Sequence, residues 1–79
     1  MSYKLYSLEE RETDNRLRKN LRNLRTRLNL SQRVFGQPLG LPQTTIEHME
    51  SGNGSISAAR LNVIAKHYNT SVQWLLEKE

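Results

Sequence analysis

Residues 31–52 read S-Q-R-V-F-G-Q-P-L-G-L-P-Q-T-T-I-E-H-M-E-S-G and spell two short helices joined by a tight turn. The Ser31 hydroxyl suits the cap of the first helix, because it accepts from the unpaired N–H groups of the opening turn. Val34, Phe35 and Leu39 follow at the spacing of one helical face. Gly36 stands where a second helix can cross closely, since a side chain there would hold it off. Gly40 stands where the chain must turn sharply, and glycine takes positive φ at little steric cost. The second helix begins near Pro42, whose missing N–H would have no partner in a first turn. Ile46 and Met49, three positions apart, face inward, and Ser51-Gly52 closes the helix.

Working outward from the motif, Arg16–Leu28 is a helix by periodicity. Leu17, Leu21, Leu24 and Leu28 form a stripe on one face, too short for a coiled coil and so assigned to the core. Asn29 ends that helix and Leu30 tucks in. Upstream, Ser7-Leu8-Glu9-Glu10 has the form of a capping box, which would start a helix near Leu8. Thr13-Asp14-Asn15 are better caps than interior residues, so a break there competes with that start. Residues 1–14 are therefore read as an arm or a helical extension, and 15–79 as the domain. Downstream, Ile56 returns to the core. Ser57 caps a helix over Ala58–His67 with Leu61, Ile64, Ala65 and Tyr68 inward, Asn69-Thr70 turns, and Ser71 caps a last helix over Val72–Leu76. In that last helix Val72, Trp74 and Leu75 are expected to be wholly or partly buried. The outcome is an all-α fold of five helices with short connections.

Seventy-nine residues make one small domain with a modest core. Without cysteine there is no disulfide framework and no thiolate metal site or thiol nucleophile. Two histidines nineteen positions apart, with no carboxylate pair or phosphate loop, argue against an enzyme, and no cofactor is expected. No apolar run approaches the ~18 residues of a membrane span and no signal peptide is expected ahead of the domain. A cytoplasmic, nucleoid-associated protein without a membrane partner is expected. The net charge of +4 is unevenly spread: Arg16, Arg18, Lys19, Arg22, Arg25, Arg27 and Arg33 fall in a stretch, 15–33, that holds no acid. Alone, such a run is a solvated helix face; beside a helix-turn-helix it reads as a surface for phosphate.

Gln32, the small Gly36, Gly40 and the inward Ile46 resemble the helix-turn-helix of the Cro/CI (XRE-type) regulators. The likeness runs from about Leu17 to Leu76 and is nearest to the DNA-binding domains of lambdoid phage repressors of the 434 type. It implies a compact lambda-repressor-like domain that lays its second motif helix in the major groove of double-stranded DNA. With Ile46 and Met49 inward, Gln43, Thr44, Glu47 and His48 lie on the outer faces of that helix. Gln43 is the foremost base reader, its amide matching adenine N6 and N7. Thr44 and His48 are further readers, and Pro42 offers apolar contact to a thymine methyl. Each has a plainer role as an ordinary surface residue, and Thr45 reads as packing.

The resemblance gives Gln32 a phosphate contact and a bracing role toward the first reader. Arg33, Ser51, Gly52 and Asn53 are placed to meet phosphate, which sets register without carrying sequence, and Arg25 is counted with them. The resemblance also pairs Arg25 with Glu50 as an ion pair between the first helix and the end of the reading helix. Thr70, Val72 and Trp74 are its implied dimer surface. Pro38 predicts a short or tightened first motif helix, because it has no N–H for the carbonyl of Val34. The expected function is a homodimeric transcription regulator, a repressor on a palindromic operator. The competing expectation is an antitoxin or adaptor that holds a protein partner, with the tyrosine-bearing front segment as its docking arm.

Overall fold

In the computed structural model the described residues are 8–52 and 56–77. Five helices follow in order: α1 (Leu8–Arg27), α2 (Gln32–Gly36), α3 (Gln43–Ser51), α4 (Ala58–His67) and α5 (Val72–Leu76). A 3-10 turn over Gln37–Leu39 separates α2 from α3, and the described residues contain no strand. Each helix gives at least one side chain to a single core of Leu17, Leu21, Leu24, Phe35, Ile46, Met49, Leu61, Ile64, Ala65 and Leu75.

Helix α1 starts at Leu8 and runs straight through Thr13-Asp14-Asn15 without a break. The Thr13 hydroxyl donates back to the Glu9 carbonyl at 3.0 Å and accepts from Arg16 at 3.2 Å, so it serves the helix interior instead of capping a new one. Glu9 and Glu10 at its start, with Arg25 and Arg27 at its end, suit the helix dipole. The Ser7 cap and the tyrosines before it lie outside the described residues. Leu17, Leu21 and Leu24 are buried, but the fourth leucine of the stripe is not: Leu28 is 45 % exposed. The helix has ended at Arg27 and the chain is already turning through Asn29 at φ 58°, so the helical register no longer carries Leu28 inward.

Three turns use one device. After α1, the 3-10 turn and α4, the residues Asn29, Gly40 and Asn69 adopt positive φ. In each case the next residue's N–H reaches back five positions, from Leu30 to Arg25, Leu41 to Gly36 and Thr70 to Ala65, at 2.8–3.2 Å. These are Schellman closures, which satisfy carbonyls left over at a helix end. Ser31, Ser57 and Ser71 cap α2, α4 and α5 through their hydroxyls. Pro38 has the effect its chemistry predicts: α2 is only five residues long and tightens into the 3-10 turn.

Val34, expected on the inner face of α2, is exposed. So short a helix has room for one inward side chain, that of Phe35, beside the buried Gly36. Its ring stacks on Tyr68 with centroids 4.5 Å apart and planes 3° from parallel. The Tyr68 hydroxyl in turn donates to the Phe35 carbonyl at 2.7 Å, tying α4's end to α2.

Burial pushes the Tyr68 phenol above its ordinary value of 10. A folded-state pKa above the unfolded one gives a contribution fully present below about pH 10 and lost as pH rises through the folded value. The domain is therefore expected to lose melting temperature in the alkaline range, and Tyr68→Phe to flatten that loss. At neutral pH the variant should sit lower by about 1 kcal/mol, the worth of one hydrogen bond. Parallel alkaline limbs for the two proteins would contradict this.

Asn20 was not singled out by its sequence, yet it is 1 % exposed. Its amide donates toward the carbonyls of Trp74, Leu75 and Glu77 at 3.3, 2.8 and 2.8 Å. Arg16 adds a bond to the Leu76 carbonyl at 3.3 Å. Helix α1 thus supplies the donors that the carbonyl end of α5 lacks, and that is what seats so short a helix.

Candidate functional site

The outward face of α3 begins at a proline. Pro42 is extended at φ −71°, ψ 162°, and stands just ahead of the helix, which starts at Gln43. Its carbonyl accepts from Thr45 and Ile46 N–H at 3.0 and 3.3 Å, so it opens the helix through its backbone with no side-chain cap. From there the amphipathic pattern is realised. Ile46 and Met49 are buried, Thr45 is half-buried, and Gln43, Thr44, Glu47 and His48 are exposed. The Gln43 amide donates to the Glu47 carboxylate one turn later at 3.4 Å. Ser51 and Gly52 follow exposed, with Gly52 at φ 102° and its N–H on the His48 carbonyl at 3.3 Å. Asn53 lies outside the described residues.

The far end of α3 is fastened to α1 and α2 through Glu50. Arg25 Nε and one terminal nitrogen donate to the two carboxylate oxygens at 2.6 and 2.9 Å. The other terminal nitrogen donates to the Leu30 carbonyl at 2.9 Å. Gln32 donates to the same carboxylate at 3.2 Å. The pair is largely desolvated, with side chains 14 % and 6 % exposed. The Glu50 hydrogen bond, ahead of their charge attraction, holds the Arg25 guanidinium above its usual range, against the opposing effect of burial. Arg25 thus spends its donors inside the protein, while Gln32 sits between the two motif helices.

The basic run is sorted by the fold. Arg18, Arg22 and Arg25 fall at i, i+4 and i+7, one face of α1. Arg18, 8 % exposed, points a nitrogen at the Met49 carbonyl at 3.5 Å. Cations gathered at the C-terminus of α3 meet the negative end of its dipole. Arg16 is engaged with α5, and the Arg27 guanidinium lies 5.5 Å over the Trp74 ring. Lys19, Arg22 and Arg33 are exposed and carry no such engagement among the described residues. Arg22 shares an open depression of about 480 Å³ with Gln32, Glu47, His48 and Ser51, floored by the Arg25–Glu50 pair. It was not separated from its neighbours in the sequence, although Arg22 stands one turn before Arg25 on the same face, and that spacing was the available signal.

The structure therefore brings Gln43, Thr44, His48, Gln32 and Ser51 to one surface, with Pro42 at its edge. Arg33, beside Gln32 on α2, is exposed. Thr70, Val72 and Trp74 lie apart on α5 and the turn before it, all half-buried. No group of three or more potential metal ligands occurs among the described residues, and no described helix is long and apolar enough to cross a membrane. A family model described as helix-turn-helix matches residues 21–75. No curated protein and no solved structure matches the chain.

Proposed function

Because the chain belongs to the XRE-type helix-turn-helix family of DNA-binding regulators, we propose that it is a repressor that binds a palindromic operator as a homodimer. One observation carries this reading. Gln43, Thr44 and His48 project from α3, and that helix is locked at its far end by Arg25, Glu50 and Gln32. A preset rigid wedge with polar amide, hydroxyl and imidazole groups suits base edges in a major groove. Gln32, Arg22, Arg33 and Ser51 flank it as phosphate contacts. Thr70, Val72 and Trp74 form the dimer seam, which must set two α3 helices about 34–36 Å apart. The nearer likeness to lambdoid phage repressors of the 434 type rests on the Arg25–Glu50 pair and on Gln32 reaching it.

The test is a selection of duplexes from random sequence with the purified protein. A palindromic consensus is expected. Gln43→Ala should then lose about tenfold or more in preference at one position of each half-site. Arg22→Ala and Arg33→Ala should weaken all duplexes about equally and each lower the salt slope by about 1. Uniform losses from all three variants would undo the division between readers and phosphate contacts.

A further inference from the structure

We infer that Glu47 is a specificity-determining residue: on the strand it faces it selects an amino-bearing base, cytosine or adenine, one or two steps from the base met by Gln43, and it sets the pose of the Gln43 amide. This rests on the DNA-binding function proposed above and extends it to a residue whose charge at first argues against contact with a polyanion.

Glu47 is exposed on the same face of α3 as Gln43, one turn further on. The two side chains are joined, the Gln43 amide nitrogen donating to a Glu47 carboxylate oxygen at 3.4 Å. An amide nitrogen has two hydrogens. With one turned toward Glu47, the other hydrogen and the carbonyl oxygen remain, which is the donor and acceptor pair that adenine N7 and N6 require. Glu47 thereby removes the flipped pose, in which the amide would offer its nitrogen where the oxygen belongs.

The carboxylate keeps an oxygen of its own to offer. An ionised carboxylate only accepts, and the major-groove edges supply donors at cytosine N4 and adenine N6 alone. Guanine O6 and N7 and thymine O4 would face it acceptor to acceptor. Glu47 therefore works by rejection as much as by attraction, which is how a site separates close alternatives. Four residues of helix advance about 6 Å, so Glu47 meets a base pair one or two steps from that of Gln43. The Arg25 guanidinium is committed to Glu50, and Arg22, which lines the same depression, forms no ion pair with Glu47 among the described residues. The charge stays available to the groove.

Duplex selection with the parent, Glu47→Gln and Glu47→Ala tests this. Both variants change an exposed side chain, and melting temperatures equal to the parent's verify the fold. The parent is expected to select cytosine or adenine on one strand, one or two positions from the Gln43 adenine. Both variants should lose about tenfold of that preference, with Glu47→Ala also softening the choice at the Gln43 position. If the variants keep the parent's consensus and bind every duplex more tightly, Glu47 merely repels the backbone and the inference fails while the DNA-binding function stands. A parent that selects no sequence at all would overturn both.

Discussion

Glu50→Ala is expected to cost the domain about 3–5 kcal/mol, the penalty of stranding a buried charge. The loss is set by what stays behind. Arg25 is held in a site only 14 % exposed, and a guanidinium keeps its proton even when its partner is gone. Two of its three nitrogens lose their acceptor, only the bond to the Leu30 carbonyl surviving, and Gln32 loses the same partner. A domain of 79 residues has roughly 4–12 kcal/mol in all, and each kcal/mol is worth about 4–8 °C of melting temperature at this size. Glu50→Ala should therefore melt well over 10 °C below the parent and be partly unfolded in mild warmth. Replacing both partners separates stranded charge from lost attraction. Arg25→Met/Glu50→Leu leaves no buried charge and should recover most of the loss, because apolar replacement of a buried pair is often neutral or better. It should not recover DNA binding, since Gln32 would still lack its brace. A single variant that melts with the parent would mean the pair contributes nothing to folding.

The contact between Arg25 and Glu50 was expected from the resemblance alone, since beyond opposite charge nothing in the chain sets two residues 25 positions apart against each other. Helix ends are legible from local chemistry. Ser31, Ser57 and Ser71 precede apolar periodicity, and local hydrogen bonding is enough to place a cap. The reading stayed open, or went wrong, where a residue has two locally reasonable fates. Thr13-Asp14-Asn15 suit a cap or an exposed helix surface, and the downstream leucine stripe decided for continuity. Leu28 and Val34 have apolar spacing, but Leu28 falls just past the end of α1 and Val34 lies on a five-residue helix whose inward side chain is Phe35. Asn20 shows the harder limit: its partners are carbonyls at positions 74–77 that need donors only once α5 exists. A polar residue three places after Leu17 and next to Leu21 was the trace it left. The arginines were likewise indistinguishable in the chain, and only the fold divides them into those that meet α3, those that meet α5 and those that face solvent.

Gly36→Ala is expected to destabilise by about 3 kcal/mol, against what backbone propensity predicts. Gly36 sits at φ −80°, ψ −24°, ordinary helical values that alanine prefers. By propensity alone the change should stabilise by up to about 1 kcal/mol. Space decides otherwise. An added Cβ would lie 2.4 Å from the Leu41 carbonyl oxygen, 3.3 Å from its carbon and 3.1 Å from Ile46 Cγ1. What approaches Gly36 is thus the turn itself with the first inward side chain of α3, not the body of a crossing helix. Neither neighbour yields cheaply: Ile46 is 0 % exposed, and Leu41 is bound by its own N–H to the Gly36 carbonyl at 3.0 Å. Overpacking costs about 1–3 kcal/mol, and a hydrogen bond pulled out of reach adds about 1 more.

Gly40 provides the control with the opposite cause. Its added Cβ would meet nothing within 4 Å, but its φ of +71° is strained for alanine. Gly40→Ala should cost about 1–2 kcal/mol, and Gly40→Asn less, because Asn29 and Asn69 already hold that conformation in the other two turns. At Gly36 no residue choice relieves the clash, so alanine and serine should both fail there. The displaced turn also carries α3, so the surviving folded fraction of Gly36→Ala should read operator sequence poorly even at low temperature. Thermal melts of the four variants check the order. Gly36→Ala melting at or above the parent would show that the turn can move aside freely, and the fixed angle between the two motif helices would then need another cause.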